Sequence, residues 1–227
     1  MAQIAPMSEA DRARVGAAVT AVESTTAGEV VTIVTEQSDD YAEIALIWCA
    51  AAGFLALAAL ALFPDFYLGI YDRLTGGWAQ EWHPREIFAV ALLVASLKFG
   101  GMWLLQLWRP LRLLLVPGPV KHHRVRSRAI TCFKVGAERR TSGRTGILIY
   151  LSMRERRAEI VADESIAAKV APEVWGDAMA AMIAHIREGR IADGMVAAIE
   201  QVGAVLAAQL PRAEGDTNEL PDRLIEV

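Results

Sequence analysis

Two long stretches without charge constrain this chain more than any other feature of its sequence. Residues 44–63 are 20 residues with no charge, and residues 87–108 are 22 residues with a single charge, Lys98. A helix rises about 1.5 Å per residue, so each stretch is long enough to cross the roughly 30 Å of hydrocarbon in a bilayer. The sequence therefore predicts an integral membrane protein with two spans.

The overall composition is that of a folded polypeptide. Of the 227 residues, 54% are hydrophobic and 22% are charged, which excludes disorder over the whole chain. Two cysteines, Cys49 and Cys132, are too few for a disulfide framework and suit a reducing compartment. The first residues lack a basic segment followed by an apolar run, so we expect no signal peptide.

The basic residues after the second stretch predict how the spans are oriented. Residues 109–128 contain no acid and six basic residues, namely Arg109, Arg112, Lys121, Arg124, Arg126 and Arg128. By the positive-inside rule this side is cytoplasmic, which places both termini in the cytoplasm and the loop at residues 64–86 outside. The aromatic residues of that loop suit the headgroup layer, with a ligand-binding loop as the alternative. The basic residues are also candidates for binding anionic lipid or a partner.

Lys98 is an unusual residue for the middle of a span, where its charge costs about 2.5–3.5 kcal/mol on insertion scales. Gly100 and Gly101 follow it, and Ser96 precedes it, so a second helix can approach closely. Neither stretch contains an acid. We therefore expect Lys98 either to extend toward the interface or to pair with a lipid headgroup or an acid of another chain.

Outside the spans, the sequence predicts helices packed on a short sheet. Ser8 and Asp11 begin a helical pattern, and residues 29–35, 146–151 and 158–162 have the β-branched and apolar character of strands. Two further helices are predicted at residues 172–189 and 191–210. The expected fold class is a small α/β sandwich interrupted by a transmembrane hairpin. The expected division is residues 1–36 and 121–210 for the sandwich, 37–120 for the hairpin insertion, and 211–227 for a flexible acidic tail.

Familiar catalytic motifs are missing from the sequence. There is no Gly-x4-Gly-Lys loop, no Gly-x-Ser-x-Gly elbow and no HExxH pair. Thiol phosphatases place an arginine after Cys and five residues, but here Glu138 stands at that position, so Cys132 is interpreted as an ordinary buried cysteine. His122 and His123 are adjacent and make a poor metal pair. A net charge of −4 and a basic segment without interleaved aromatics argue against nucleic acid as a partner.

Three stretches of the sequence resemble the TPM domain, which is found in bacterial membrane proteins and in a plant thylakoid protein linked to photosystem II repair. They are AGEVVTIVTE at residues 27–36, RTGILIYLSMRERRAEIVADESI at residues 144–166, and IREGRIADGMVAAIE at residues 186–200. Their order and spacing together make the match specific. The resemblance implies an α/β/α fold, divalent-cation binding in some members, and a suggested acid-phosphatase activity.

The resemblance also implies candidate site residues. The acidic pair of the family near its third strand corresponds to Asp163 and Glu164, although Ser165 stands where the family often has Gly. Glu29 follows Gly28 as in the family, and Asp193 lies at the start of the last helix. Carboxylates at strand and helix ends can share a hard cation such as Ca²⁺ or Mg²⁺. Their plain alternatives are a solvated strand start, a helix N-cap and a first-turn acid.

The favoured hypothesis is a cytoplasmic TPM-like domain fixed to the inner membrane of a bacterium by its hairpin. Its expected role is docking on a membrane complex, in assembly or upkeep, with a membrane protein or a second copy as partner. The first alternative is a phosphatase whose carboxylates hold a cation that polarises a phosphoryl oxygen and activates water. The second alternative, based on Lys98, is a subunit of an oligomeric transport or pore complex.

Overall fold

The computed structural model describes residues 7–76, 82–136, 145–212 and 224–226. In chain order the elements are α1 (Glu9–Glu23), β1 (Glu29–Thr35), α2 (Ala42–Leu62), α3 (Pro64–Thr75), α4 (Pro84–Gln106), α5 (Arg109–Leu115), α6 (Gly118–Gly136), β2 (Gly146–Ser152), β3 (Arg157–Ala162), α7 (Glu164–Ala167), α8 (Pro172–Arg187), α9 (Ile191–Gln209) and β4 (Ile225–Glu226). Glu138 and most of the predicted tail lie outside the described residues.

The elements form two compact units. The first unit comprises residues 1–39 and 118–227, and the second comprises residues 40–117. The first unit holds every strand of the described sheet, whereas the second is built from helices. We describe each unit by itself.

The first unit is built on a four-stranded sheet with the strand order β3-β2-β1-β4. β1 and β2 are parallel, with Glu29 opposite Gly146 and Thr35 opposite Ser152. β2 and β3 are antiparallel and are joined by a turn in which Arg156 has a φ of 53°. The three strands predicted from β-branched and apolar patterns are confirmed.

Helices cover both faces of this sheet. Alternate residues of β1 and β2 point to opposite faces, and both strands are buried over their whole length. One face packs on α1, α8 and α9 through a core that includes Val30, Val34, Ile147, Ile149, Val15, Met182, Met195 and Ile199. The other face packs on α6 through Val31, Ile33, Leu148, Tyr150, Val125, Ala129 and Phe133. The predicted α/β class is therefore confirmed.

α1 begins where the sequence predicted it. The Asp11 N–H donates to Ser8 Oγ at 3.1 Å, and Ser8 Oγ donates to Asp11 Oδ2 at 2.7 Å. The first bond satisfies an amide that the helix itself leaves without a partner, and the second holds the Ser8 hydroxyl in place, which favours starting the helix at this point.

The end of the predicted flexible tail contributes an edge strand. β4 lies parallel to β1, with Ile33 opposite Ile225, and Leu224 before it is buried. Residues 225 and 226 of the predicted tail are thus part of the sheet. An apolar side chain at an open sheet edge gains both backbone hydrogen bonds and burial, which a composition argument about an acidic segment does not include.

The second unit contains the two predicted apolar stretches as the long helices α2 and α4. They are antiparallel neighbours, because Gln106 near the end of α4 donates its side-chain N–H to the carbonyl oxygen of Ala45 at 3.1 Å, near the start of α2. The same amide contacts Cys49 Sγ at 3.4 Å. Further along, Gly53 of α2 lies against the carbonyl of Ala95. One buried polar side chain and small residues hold the two helices together, as is typical of helix pairs in lipid.

Three helices among the described residues, rather than the two predicted spans, are long and apolar enough to cross a membrane. They are α2, α4 and α9. In each helix the apolar window is its apolar stretch of 18 residues. This window is 44% buried in α9, against 17% in α2 and 0% in α4. α9 resembles a span by composition because one of its faces fills the core of the first unit, where Met195, Ile199, Val202 and Leu206 are buried.

The predicted outer loop and the basic segment after the second span both contain helices. The predicted outer loop at residues 64–86 holds α3, which begins at Pro64 and ends before Gly76 with a φ of 72°. The basic segment that follows the second span forms α5 and α6. Both α3 and α5 have proline in the first turn, where its missing N–H costs no hydrogen bond.

Replacing either of two helix glycines with alanine is expected to change the free energy of unfolding in opposite directions. A Cβ at Gly194 of α9 would lie 2.7 Å from the carbonyl oxygen of Met182 in α8, whereas a Cβ at Gly176 of α8 meets nothing within 4 Å. We expect Gly194→Ala to lower the free energy of unfolding by about 1–3 kcal/mol, because the helices must move apart. Gly176→Ala should raise it by up to about 1 kcal/mol through helix propensity. Denaturant unfolding of the detergent-solubilised chain measures both, and equal effects would contradict the close crossing.

Candidate functional site

Glu29 and Asp163 lie on either side of the first residue of β2. Glu29 begins β1 and stands opposite Gly146 in the parallel register, and its N–H donates to the carbonyl oxygen of Thr145 at 3.0 Å. Asp163 follows β3, where its N–H donates to the Gly146 carbonyl at 3.0 Å and its Oδ2 accepts the Gly146 N–H at 3.1 Å. Both residues are buried. Two of the four predicted carboxylates therefore lie at the same end of the strands, where β1 and β2 begin.

Asp163 also begins the short helix that follows it. Its carbonyl oxygen accepts the N–H groups of Ile166 and Ala167 at 3.0 and 2.9 Å, which makes Asp163 the N-cap residue of α7. Glu164 is the first residue of that helix and is exposed. The plain structural role suggested by the sequence, a helix N-cap, thus accounts for the main-chain geometry of Asp163.

Asp193 is held by two arginines. Its Oδ1 accepts from Arg14 of α1 at 2.5 Å, and its Oδ2 accepts from Arg190 at 3.0 Å. The hydrogen bonds from Arg14 and then Arg190 lower the pKa of Asp193 below its ordinary value. Both carboxylate oxygens are engaged, so a cation at this position would have to displace a guanidinium group.

The four predicted carboxylates do not converge on one point. In the part of the chain that the structure describes, no three of them bring oxygen atoms within 4.8 Å of one another. Ca²⁺ takes six to eight oxygen ligands, whereas Mg²⁺ is often held by only one or two carboxylates. The set does not fit a calcium cage, and cation binding beside Glu29 and Asp163 stays a prediction.

A cluster of polar side chains at the other end of these strands, where β1 and β2 finish, was not predicted from the sequence. Glu155 in the β2–β3 turn accepts the Ser38 N–H at 3.0 Å through Oε1 and the Ser152 hydroxyl at 2.5 Å through Oε2. Ser38 Oγ donates to Ser152 Oγ at 2.9 Å and lies 3.0 Å from the Tyr150 hydroxyl. Glu155, Ser152 and Tyr150 are all buried.

The cluster lies at the carboxyl ends of two parallel strands, where open α/β sheets commonly bind ligands. Here the side chains satisfy one another and fasten the chain after β1 to the turn after β2, and burial raises the pKa of Tyr150. Ser38 and Glu155 are 117 residues apart, so no local sequence motif reveals this cluster. The available signal was a serine just after, or at the end of, each parallel strand.

The predicted basic residues are distributed over both units. Arg109 is exposed and Arg112 half-buried on α5, and Lys98 is exposed on α4. On α6, Arg124 pairs with Asp39 at 3.6 Å and Arg126 lies 3.6 Å from Glu159, while Arg128 is exposed.

Glu159 makes the contact between α6 and β3 polar. His122 Nδ1 lies 3.2 Å from Glu159 Oε1, on the other oxygen from Arg126. Burial raises the pKa of Glu159, and the charges of His122, Arg126 and Arg157 oppose that rise. Part of the basic character of α6 thus serves the packing of the first unit, and the rest faces outward.

The arginine pair around Asp193 predicts a pH dependence. Because the folded-state pKa is lowered, its stabilisation is complete above the ordinary value of 3.8 and is lost as the pH falls through the folded-state value. We expect Asp193→Asn to lower the melting temperature at pH 7, and the difference from the parent chain to disappear as the pH falls through the lowered folded-state pKa. The exposed Glu164→Gln is the control. A cation-binding Asp193 would instead give a parent chain whose melting temperature rises with Ca²⁺ or Mg²⁺ and a variant whose melting temperature does not.

Comparison with known proteins places part of this architecture in a family. No curated protein matches the chain. A match to the NMR structure of the BA42 protein from the psychrophilic bacterium Bizionia argentinensis covers 100% of both chains, with a TM-score of 0.57 and 16% sequence identity, which shows a shared fold. The TPM domain model matches from near the start of α6 into α9. The resemblance seen in the sequence is thus confirmed: residues 120–205 match the model of the TPM domain.

Proposed function

We propose that this chain is a membrane-anchored TPM domain with a docking role on a membrane complex, for its assembly or maintenance. The observation that supports a membrane anchor is the exposure of the apolar helices α2 and α4. They are helices of 21 and 23 residues whose apolar windows are only 17% and 0% buried. Large side chains such as Phe54, Leu55 and Phe88 are each more than 70% exposed. Exposed apolar area costs roughly 25 cal/mol per Å² in water, so a bilayer is the solvent that suits this surface.

In this proposal both helices cross the inner membrane of a bacterium, and the first unit is on the cytoplasmic side. The supporting signal is the basic, acid-free sequence of α5 and α6, which positive-inside topology retains in the cytoplasm. α6 uses Val125, Ala129 and Phe133 for the sheet and leaves Arg128 exposed. This outward charge is available to an anionic headgroup at about 1 kcal/mol.

Lys98 supports a partner within the membrane. It is exposed on α4, and it makes no ion pair with any residue that the structure describes. A lysine at the middle of a span that points away from its own hairpin needs an acid, a headgroup or water from elsewhere. An acid on a neighbouring membrane protein satisfies this need and at the same time specifies the partner. A second copy of the chain has no acid to offer in its own apolar stretches.

The described residues give less support to the phosphatase alternative. A cation-dependent mechanism needs carboxylates that converge, and Asp193 is engaged by two arginines. A serine nucleophile needs an adjacent base such as histidine. At the carboxyl ends of β1 and β2, Ser38 and Ser152 contact Glu155 and Tyr150, and no histidine is among the partners described for them. The domain is therefore proposed to act by binding.

Substitution of Lys98 tests the docking role. Full-length chain purified in mild detergent should bring with it a membrane protein in fixed stoichiometry. Lys98→Leu should reduce that protein to background, because the ion pair within the bilayer is lost, and Lys98→Arg should retain it. Quantitative mass spectrometry of the purified material is the measurement. Recovery of the chain alone, or equal recovery with Lys98→Leu, would contradict docking through this residue.

A further inference from the structure

α3 carries an apolar stripe along its whole length. Its large side chains recur at the spacing i, i+3, i+4, i+7, i+8 and i+11, which places them on one side of a helix. These residues, the α3 stripe, are Phe63, Phe66, Tyr67, Ile70, Tyr71 and Leu74. At about 100° per residue they span roughly 140° of the helix, with Asp65 and Asp72 on the opposite side.

Most of the α3 stripe faces away from the rest of its unit, while the ring of Tyr71 packs edge-on against Trp82 with 5.4 Å between the ring centroids. Phe66 is 64% exposed and Leu74 is 82% exposed, whereas Leu68, Gly69 and Asp72 on the other side are half-buried. A helix on a water-soluble protein shows the reverse arrangement, with its apolar face buried and its polar face outside. The surroundings of α3 must therefore be at least partly apolar.

The position of α3 in the chain specifies those surroundings. α2 has 21 residues and so extends for roughly 31 Å, close to the thickness of the hydrocarbon core. The chain then leaves helical geometry at Phe63, with φ −132° and ψ 54°, and Pro64 begins α3. A residue before proline is disfavoured in the helical region, so this dipeptide makes a corner at the point where the hydrocarbon ends.

We infer that α3 lies in the plane of the membrane interface, on the side opposite the termini, with the α3 stripe among the upper acyl chains. The occupant of the stripe is lipid, because the stripe is continuous with the exposed apolar surface of α2 that ends at Leu62 and Phe63. Tyr67 and Tyr71 carry hydroxyls that suit the headgroup level, and Arg73 borders the stripe where its guanidinium can reach phosphate. This inference depends on the membrane insertion proposed above.

Spin-label depth measurements test the inference on the full chain in liposomes. Cys49 and Cys132 are first replaced by alanine, and single cysteines are then introduced and labelled with a nitroxide. The test positions are Ile70→Cys and Leu74→Cys on the stripe. The matched controls are Asp65→Cys and Gly69→Cys on the other side of the same helix, where a Cβ at Gly69 meets nothing within 4 Å. A label at Leu55→Cys reports on insertion of α2.

The expected result is a periodic pattern. Labels at positions 70 and 74 should be relaxed several-fold more by oxygen than by a water-soluble nickel chelate, and labels at positions 65 and 69 should show the opposite preference. Equal access of nickel to all four positions, with Leu55 deep, would overturn the inference and leave the anchor intact. Low access of both reagents at 70 and 74 would identify a protein contact instead. A water-exposed label at Leu55 would mean that the anchor itself is wrong.

Discussion

The parallel pairing of β1 with β2 is the contact on which the rest of this structure depends. Residues 29–35 and 146–152 are neighbours in the sheet, although more than a hundred residues separate them in the chain. A parallel pair always requires a crossover, because the chain must return to the edge at which the first strand began. In this chain the crossover holds the whole second unit and then α6.

That requirement explains how one sequence can hold both an α/β domain and an apolar hairpin. A hairpin of two antiparallel helices returns to the side from which it left, so its insertion does not prevent β2 from reaching β1. The Ser38–Ser152–Glu155 contacts lie at the exit of β1 and fasten that exit to the turn after β2. Buried polar groups of this kind stabilise a fold when every member is satisfied, because an unpaired partner would cost about 1–3 kcal/mol.

Local patterns in the sequence predicted the elements well, and long-range contacts could not be predicted from them. β1 and β2 were recognised because strands buried over their whole length are mostly β-branched or apolar, and β3, which is only partly buried, was recognised from its apolar residues. α3 was missed as a helix because its aromatic residues were interpreted as an interface belt or a ligand-binding loop, although their helical spacing is visible. β4 was missed because two residues gain a strand conformation only by pairing with β1, 192 positions earlier. The contact of Asp193 with Arg14 could not be predicted, because the two residues are 179 positions apart and no local pattern connects them.

The central claim is that α2 and α4 cross one bilayer and leave both ends of the chain on the same side. Cysteine labelling in intact cells tests it most directly, in a chain whose Cys49 and Cys132 are replaced by alanine. The exposed positions for single cysteines are Glu9, Arg85 and Ser127. The account predicts that a membrane-impermeant maleimide labels Arg85→Cys in intact cells, and labels Glu9→Cys and Ser127→Cys only after lysis. Labelling of Glu9→Cys and Ser127→Cys on opposite sides, or of all three on the same side, would contradict it.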